Sequence, residues 1–400
     1  MKTIQHSISR MRRRTAALML VVMFGLGVVA SQSLQAQTYT ESVLYSFTGG
    51  ADGAKPQAGL IFDSKGNLYG TAPYGGASGD GVVFKVSKSG HQSVLHTFTG
   101  GADGAYPVAG LVFDTKGNLY GTTAQGGASN AGTVFRVNSK GKETVLYSFT
   151  GGADGANARA GLIFDAEGSL YGTTYGGGAY GAGTVFKLDS KRKETVLYSF
   201  TGAADGGNPQ AGLIFDTKGN LYGTSIAGGN DTDAGTVFKV SSKGKETVVY
   251  AFCPTGGGCP DGGNPIASLV FNAKGNYLYG TTFNGGFYGF GDVFKVNEKG
   301  EEIVLYAFNG GGPGANPSAG VIFDAKGNLY GTVEGGMPTY AGLVFELNEK
   351  GDETVLYQFT GGSDGGNPAA GLIFDAKGNL YGTTENGGAS GEGTVFKLTR

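Results

Sequence analysis

The tetrapeptide Leu-Tyr-Gly-Thr occurs seven times, with its Tyr at Tyr69, Tyr120, Tyr171, Tyr222, Tyr279, Tyr330 and Tyr381, so five of the six intervals are 51 residues and one is 57. The chain is therefore a seven-fold tandem repeat. Repeats of this length form solenoids or propellers, in which each copy is one supersecondary unit that buries its faces only against its neighbours.

Within a copy, four β-rich runs alternate with turn signals. From Arg159 the third copy reads Ala-Gly-Leu-Ile-Phe-Asp, then Leu-Tyr-Gly-Thr-Thr, then Gly-Thr-Val-Phe-Lys-Leu, then Glu-Thr-Val-Leu-Tyr-Ser-Phe, here called strands A, B, C and D. β-Branched and aromatic residues suit a pleated surface, and Gly-Asn, Lys-Gly and Asp-Gly pairs break it at hairpin spacings. Runs such as Gly161-Leu162-Ile163-Phe164 are apolar on both sides, so each sheet needs cover on both faces, which radially stacked blades provide. The Gly inside strand B (Gly70, Gly121, Gly172, Gly223, Gly280, Gly331, Gly382) costs strand stability and predicts a close approach by a neighbour.

The first strand, Glu41 to Phe47, is of type D, and the last, Gly393 to Leu398, of type C. Pairing them closes a ring and leaves no open edge. The prediction is an all-β, seven-bladed β-propeller of four-stranded blades over residues 37–400, closed by the N-terminal strand joining the last blade, with nothing left over for a second domain.

Lys2, Arg10, Arg12, Arg13 and Arg14 precede an apolar stretch from Ala16 to Ala30 and small and polar residues through Ala36, the layout of a secretory signal peptide over 1–36. The apolar run is short for a membrane span, so the expected product is soluble and exported, periplasmic or extracellular. Beyond residue 36 there are 25 basic against 32 acidic residues, a charge of about −7 that disfavours nucleic acid. Gly is 78 of 400 residues, which in an aperiodic chain would suggest low complexity, but the strict period and 12% aromatic content argue for a packed fold.

The unit Gly-Leu-Ile-Phe-Asp-x-Lys-Gly-Asn-Leu-Tyr-Gly-Thr, followed by Gly-Gly and Gly-Thr-Val-Phe-Lys, resembles the GloVer tandem repeat of exported bacterial choice-of-anchor proteins, and more distantly the NHL-type propeller repeat. The resemblance covers the whole chain after the leader. It implies export and, often, a C-terminal sorting anchor, which the residues after strand C do not supply here; it implies no biochemical role.

In an up-and-down blade the D–A and B–C connections emerge on one face, called upper. The D–A loops bring Asp52, Asp103, Asp154, Asp205, Asp261 and Asp364 there, with Pro313 in one copy, while Lys65, Lys116, Lys218 and their equivalents crowd the lower face. An acidic ring suits calcium, but Asp-Gly is a turn dipeptide in its own right, and the Lys turns read as a solvated face. No metal and no cofactor is expected.

Departures from the repeat are better clues, and they gather in blades four and five. The longer interval holds one extra residue in the B–C loop Ala227 to Asp233, four in Cys253 to Pro260, and one at Tyr277. Cys253 and Cys259, the only cysteines, read as a local disulfide in an exported protein. Beside them the fifth B–C loop carries Phe283, Asn284, Phe287, Tyr288 and Phe290. Exposed aromatics near polar side chains stack on sugars or bury a partner's apolar groups; the same rings could instead pack between blades. With Asn230, Asp231 and Asp233 they form the candidate ligand-binding set, and Tyr74, Tyr175, Tyr180 and Tyr340 occupy related loops.

No nucleophile elbow, zinc-ligand spacing or phosphate loop is present, and His96, standing for the usual strand-D Tyr, reads as core. No catalytic residue is assigned. The expected function is a monomeric binding or surface-interaction module with a carbohydrate or protein ligand on the upper face. A lactonase-type hydrolase with a metal in the pore is the alternative. The strand-A residues at the pore entry, Gln57, Val108, Arg159, Gln210, Ile266, Ser318 and Ala369, include no carboxylate to hold that metal.

Overall fold

The computed structural model describes residues 39–254, 258–311, 314–335 and 341–400. The leader, Pro313 and Tyr340 lie outside the described residues. Seven antiparallel four-stranded sheets form a seven-bladed β-propeller, six of them built from consecutive strands. In the seventh the strand Thr40–Ser46 pairs with Thr394–Thr399, from Thr40 against Thr399 to Ser46 against Thr394, so the chain closes as expected.

Strand A is shorter than its apolar run suggests: only two residues per blade, Ile61–Phe62 in the first, are in the ladder. The residues before it, Gln57 to Gly59 and their equivalents, line a central channel of about 480 Å³ to which all seven blades contribute. The outer C–D pair carries a register shift in every blade, with Val83 opposite His96 but Phe84 opposite Val94, a bulge that strengthens the twist.

Each of the seven hydrophobic clusters spans two blades. At one interface Phe47 from blade seven meets Phe84 of blade one edge-on at 5.1 Å, and Tyr381 meets Phe62 in the same way at 5.1 Å. Both ring pairs recur at all seven interfaces, and edge-to-face aromatic contacts are worth about 0.5–1.5 kcal/mol each beyond the area they bury. The strand-B glycine answers to the same Phe: a Cβ on Gly70 would stand 2.7 Å from the Phe84 ring and 2.9 Å from Leu60. What approaches is a side chain from the strand opposite, not a backbone.

The Thr of Leu-Tyr-Gly-Thr is buried and donates its hydroxyl to a strand-A carbonyl of the next blade, from Thr71 to Ala109 at 2.9 Å through Thr332 to Ala370 at 3.1 Å. Thr383 donates to Ala58 at 3.3 Å, completing the ring. On the upper face, Asn264 adopts φ 53°, a left-handed turn that Asn tolerates, and its amide donates to the Ile226 carbonyl of the preceding blade at 2.9 Å.

Strand D opens with Glu in six blades and with Gln92 in blade one, where the amide donates to the Asp52 carbonyl at 3.1 Å. One carboxyl oxygen of each of those Glu residues is buried without a partner. A protonated Glu can donate as Gln92 does; an ionised one cannot. Burial, with the charge of a neighbouring Asp second, pushes Glu143, Glu194 and Glu246 up to about 7, and burial alone does so for Glu353. Because these pKa values are raised above those of the unfolded chain, their stabilisation is full below the ordinary carboxyl range and lost as pH rises through about 7. The melting temperature is expected to fall by several degrees between mildly acidic and mildly alkaline pH, and the combined Glu143→Gln, Glu194→Gln, Glu246→Gln and Glu353→Gln variant to flatten that slope. A profile unchanged by the four substitutions would refute this account. Separately, deleting Glu41 to Phe47 should uncover the edge at Thr394–Thr399 and produce aggregation or a large loss of thermal stability, read by size-exclusion chromatography and melting.

Candidate functional site

The D–A and B–C connections share the upper face, joined by short bridges such as Ala54 to Tyr74. The acidic D–A residues are held within their own turns. Asp154 accepts from the Thr150 N–H at 2.8 Å and the Tyr147 hydroxyl at 2.9 Å, and Asp52, Asp205 and Asp364 repeat the pattern. The strand-D Tyr is thus an anchor for the acid. His96 takes the same role in blade one, its Nε2 3.5 Å from Asp103, with its ring edge-on to Phe98; burial lowers its pKa although Asp103 pulls the other way. Among the described residues no group of three His, Cys, Asp or Glu side chains is placed to hold a metal ion.

Among the described residues, blades four and five are joined by links that the other interfaces do not show. Cys253 and Cys259 form a disulfide, with Cα atoms 4.6 Å apart; residues 255–257 between them lie outside the described set. The longer fourth B–C loop holds this segment: the Asn230 amide donates to the Phe252 carbonyl at 2.7 Å, and the Thr232 hydroxyl to the Cys253 carbonyl at 3.2 Å. Asp233, at φ 55°, accepts the Gly228 N–H and closes its own loop. Ser268 stands where the other blades have Gly, and its hydroxyl accepts the Gly212 N–H at 2.9 Å. On the lower face Glu298 reaches back to Lys239 at 3.3 Å and accepts the Tyr222 hydroxyl at 2.5 Å, while Tyr277 lengthens strand B to six residues and borders a cleft of about 800 Å³ between blades five and six.

On this braced base the aromatic loop divides. Phe290 packs against the core shared with blade six, its ring over Gly310, where a Cβ would stand 2.7 Å away. Phe283 is half-buried at the inner end of the loop, and its carbonyl accepts the Asn316 amide at 2.8 Å. Phe287 and Tyr288 do not pack inward: they are 79% and 54% exposed and lie edge-on to each other at 4.8 Å. Asn284 is exposed, but its amide donates to Asn264 at 3.2 Å; Asp231 is exposed on the fourth B–C loop, and Asn230 and Asp233 are engaged in the loop framework. Tyr180 in blade three is 67% exposed at the position equivalent to Tyr288, without an aromatic neighbour in its loop tip.

The channel mouth holds residues that the strand-A reading missed, because in three blades the first B–C residue, Tyr175, Glu334 or Glu385, contacts a strand-A entry residue. Gln57 donates to Glu385 at 3.2 Å, Glu334 hydrogen-bonds Ser318, and the Arg159 guanidinium lies 4.4 Å from the centre of the Tyr175 ring. Burial raises the Glu334 pKa, with the Ser318 bond opposing and the Glu385 charge adding. Two carboxylates therefore stand beside the mouth although strand A supplies none. The signal for them was the variable residue two after the repeated Thr.

The fold is that of a closed propeller with a polar-rimmed channel and a one-sided aromatic surface. The sequence matches the Gloeobacter/Verrucomicrobia repeat over residues 22–165, 90–270 and 258–400, and the chain belongs to that family. No curated protein matches it. The extracellular domain of a proposed one-component system of B. thetaiotaomicron superposes with a TM-score of 0.58 at 11% identity, over 91% of this chain and 40% of that one, so this chain spans well under half of that domain. A proposed 6-phosphogluconolactonase of Bacteroides uniformis gives a TM-score of 0.51 at 15% identity, over 86% of this chain and 100% of that one. At these identities the likeness is one of fold.

The division of the loop is checkable by stability. Phe290→Ala should cost about 2 kcal/mol, because a packed ring is lost, and Phe287→Ala less than about 0.5 kcal/mol, both read from denaturant melts. Equal costs would place both rings in the core.

Proposed function

We propose that the protein is an exported binding module whose ligand contacts the upper face of blades four and five through Phe287 and Tyr288. The exposed ring pair on the blade with the most non-repeated bracing carries this reading. Two large rings left solvated side by side, in a fold that buries its strand Phe rings, form an apolar surface suited to a partner. The exposed ring pair suits a pyranose ring, which stacks through its C–H face, and the exposed Asp231 of the fourth B–C loop is a candidate acceptor for its hydroxyls. The disulfide and the leader-like N-terminus favour an oxidising compartment, and a fold shared with a domain described as extracellular accords with that. A pore-centred hydrolase is supported only by Glu334 and Glu385 at the channel mouth.

A glycan array probed with the purified protein tests the reading. The double variant Phe287→Ala, Tyr288→Ala should weaken binding of any captured glycan by about 1–3 kcal/mol, while Ala128→Gly with Ser129→Gly on the equivalent loop of blade two should leave it unchanged. Equal losses from both pairs would remove these rings from the site.

A further inference from the structure

Asp292 breaks the repeat at the head of strand C, where four other blades carry Thr133, Thr184, Thr236 and Thr394 and the remaining two carry Val82 and Leu343, all buried. Each of those Thr hydroxyls meets the strand-B hydroxyl opposite: Thr123 with Thr133 and Thr174 with Thr184 at 2.9 Å, Ser225 with Thr236 at 2.8 Å, Thr384 with Thr394 at 2.9 Å. Blade five keeps the strand-B hydroxyl on Thr282, which accepts the Asp292 N–H at 3.0 Å, but sets a carboxylate across from it. Asp292 is 0% exposed, and neither of its carboxylate oxygens has a hydrogen-bond partner.

A second orphan lies in the same interface. Asp261 is 8% exposed; its Oδ2 accepts the Tyr250 hydroxyl at 2.7 Å and the Cys253 N–H at 2.9 Å. Its Oδ1 has no partner, because Cys253 stands where Thr99 and Thr360 donate a hydroxyl to Asp103 and Asp364 at 2.5 Å. The two acids flank Thr282. Gly262, next to Asp261, sits so close that a Cβ on it would be 2.1 Å from Thr282 Oγ1, and Thr282 is the register partner of Asp292. The Asp292 carboxylate in turn lies against Gly286, under the aromatic loop, 2.2 Å from where a Cβ would be.

Three buried carboxylate oxygens without a donor, on two neighbouring acids, demand either a proton or a cation, since unpaired ionised carboxylates are strongly disfavoured in an interior. One proton shared by the two acids would satisfy at most two of these three oxygens, whereas a cation can take all of them. Local substitutions have produced both features: Cys253 removes the Thr donor of Asp261, and Asp292 itself takes the place of a Thr.

We propose that a divalent cation, calcium by its preference for hard oxygen ligands, is held between blades four and five by Asp261 and Asp292. Two carboxylates supply the charge, and the remaining ligands would be main-chain carbonyls and water, as in weak calcium sites (about 10⁻⁴–10⁻³ M) of extracellular modules. The ion ties the disulfide-bearing loop to the strand beneath Phe287 and Tyr288. This inference is independent of whether those rings bind a glycan.

The test is calcium binding and thermal melting of the chelator-treated full chain at neutral pH, with and without millimolar calcium. The wild type should take up one calcium per chain by native mass spectrometry and melt several degrees higher with it. Asp292→Thr, which restores the residue of blades two, three, four and seven, should fold, melt without calcium at or above the wild-type temperature, and neither bind calcium nor respond to it. Asp261→Asn should weaken binding about tenfold or more. A wild type with no calcium uptake and no shift would overturn the proposal in favour of a protonated pair. Retention of both by Asp292→Thr would overturn it too, placing any ion elsewhere.

Discussion

A single blade of this protein has no stable face of its own. Its strand-C Phe is covered by a Phe from the blade before, its strand-B Tyr by a Phe from the blade after, and its buried Thr hydroxyl finds an acceptor only on the next blade's innermost strand. An isolated blade would leave two aromatic faces wet, and its Thr hydroxyl gains an acceptor only when the next blade docks. The contacts between blades are therefore the condition for the blades themselves, and the ring has to close because an unclosed array would leave two such faces open.

That dependence explains why the architecture was legible. Each interface needs the same residues at the same places, so Leu-Tyr-Gly-Thr and the Phe positions repeat, and the terminal strand types declared the closure. The role of the Thr was not legible, since its partner lies in the next blade, 38 residues on for Thr71, and no local pattern marks a carbonyl as an acceptor. The same limit hid Gln92 as the neutral counterpart of six Glu residues, its acceptor being the Asp52 carbonyl 40 residues before it.

The candidate surface was half legible. Clustering of the irregular residues pointed to blades four and five, and the structure brings them together. It also gives several of them internal work: Asn230 and Asp233 hold loops, Phe290 packs, and only Phe287 and Tyr288 stand free as rings. Composition could not separate these roles, because whether a loop aromatic turns inward depends on room at its base, here the bare Cα of Gly310 that admits Phe290. Irregularity in a repeat thus has two sources, bracing and presentation, and at this interface the first supports the second.

The pairing of Thr40–Ser46 with Thr394–Thr399 also sets an order of events. The strand made first has no partner until the seventh repeat has left the ribosome, so the ring cannot be completed during synthesis. Six blades can dock in sequence as local hairpins, each step closing a short loop, whereas the last step joins segments separated by nearly the whole chain. Until then two apolar blade faces and two strand edges are exposed, and the partly built array is at its most prone to join another copy. A chain delivered unfolded across a membrane meets this step only after the seventh repeat has arrived, which makes completion of the fold a report that all seven repeats are present.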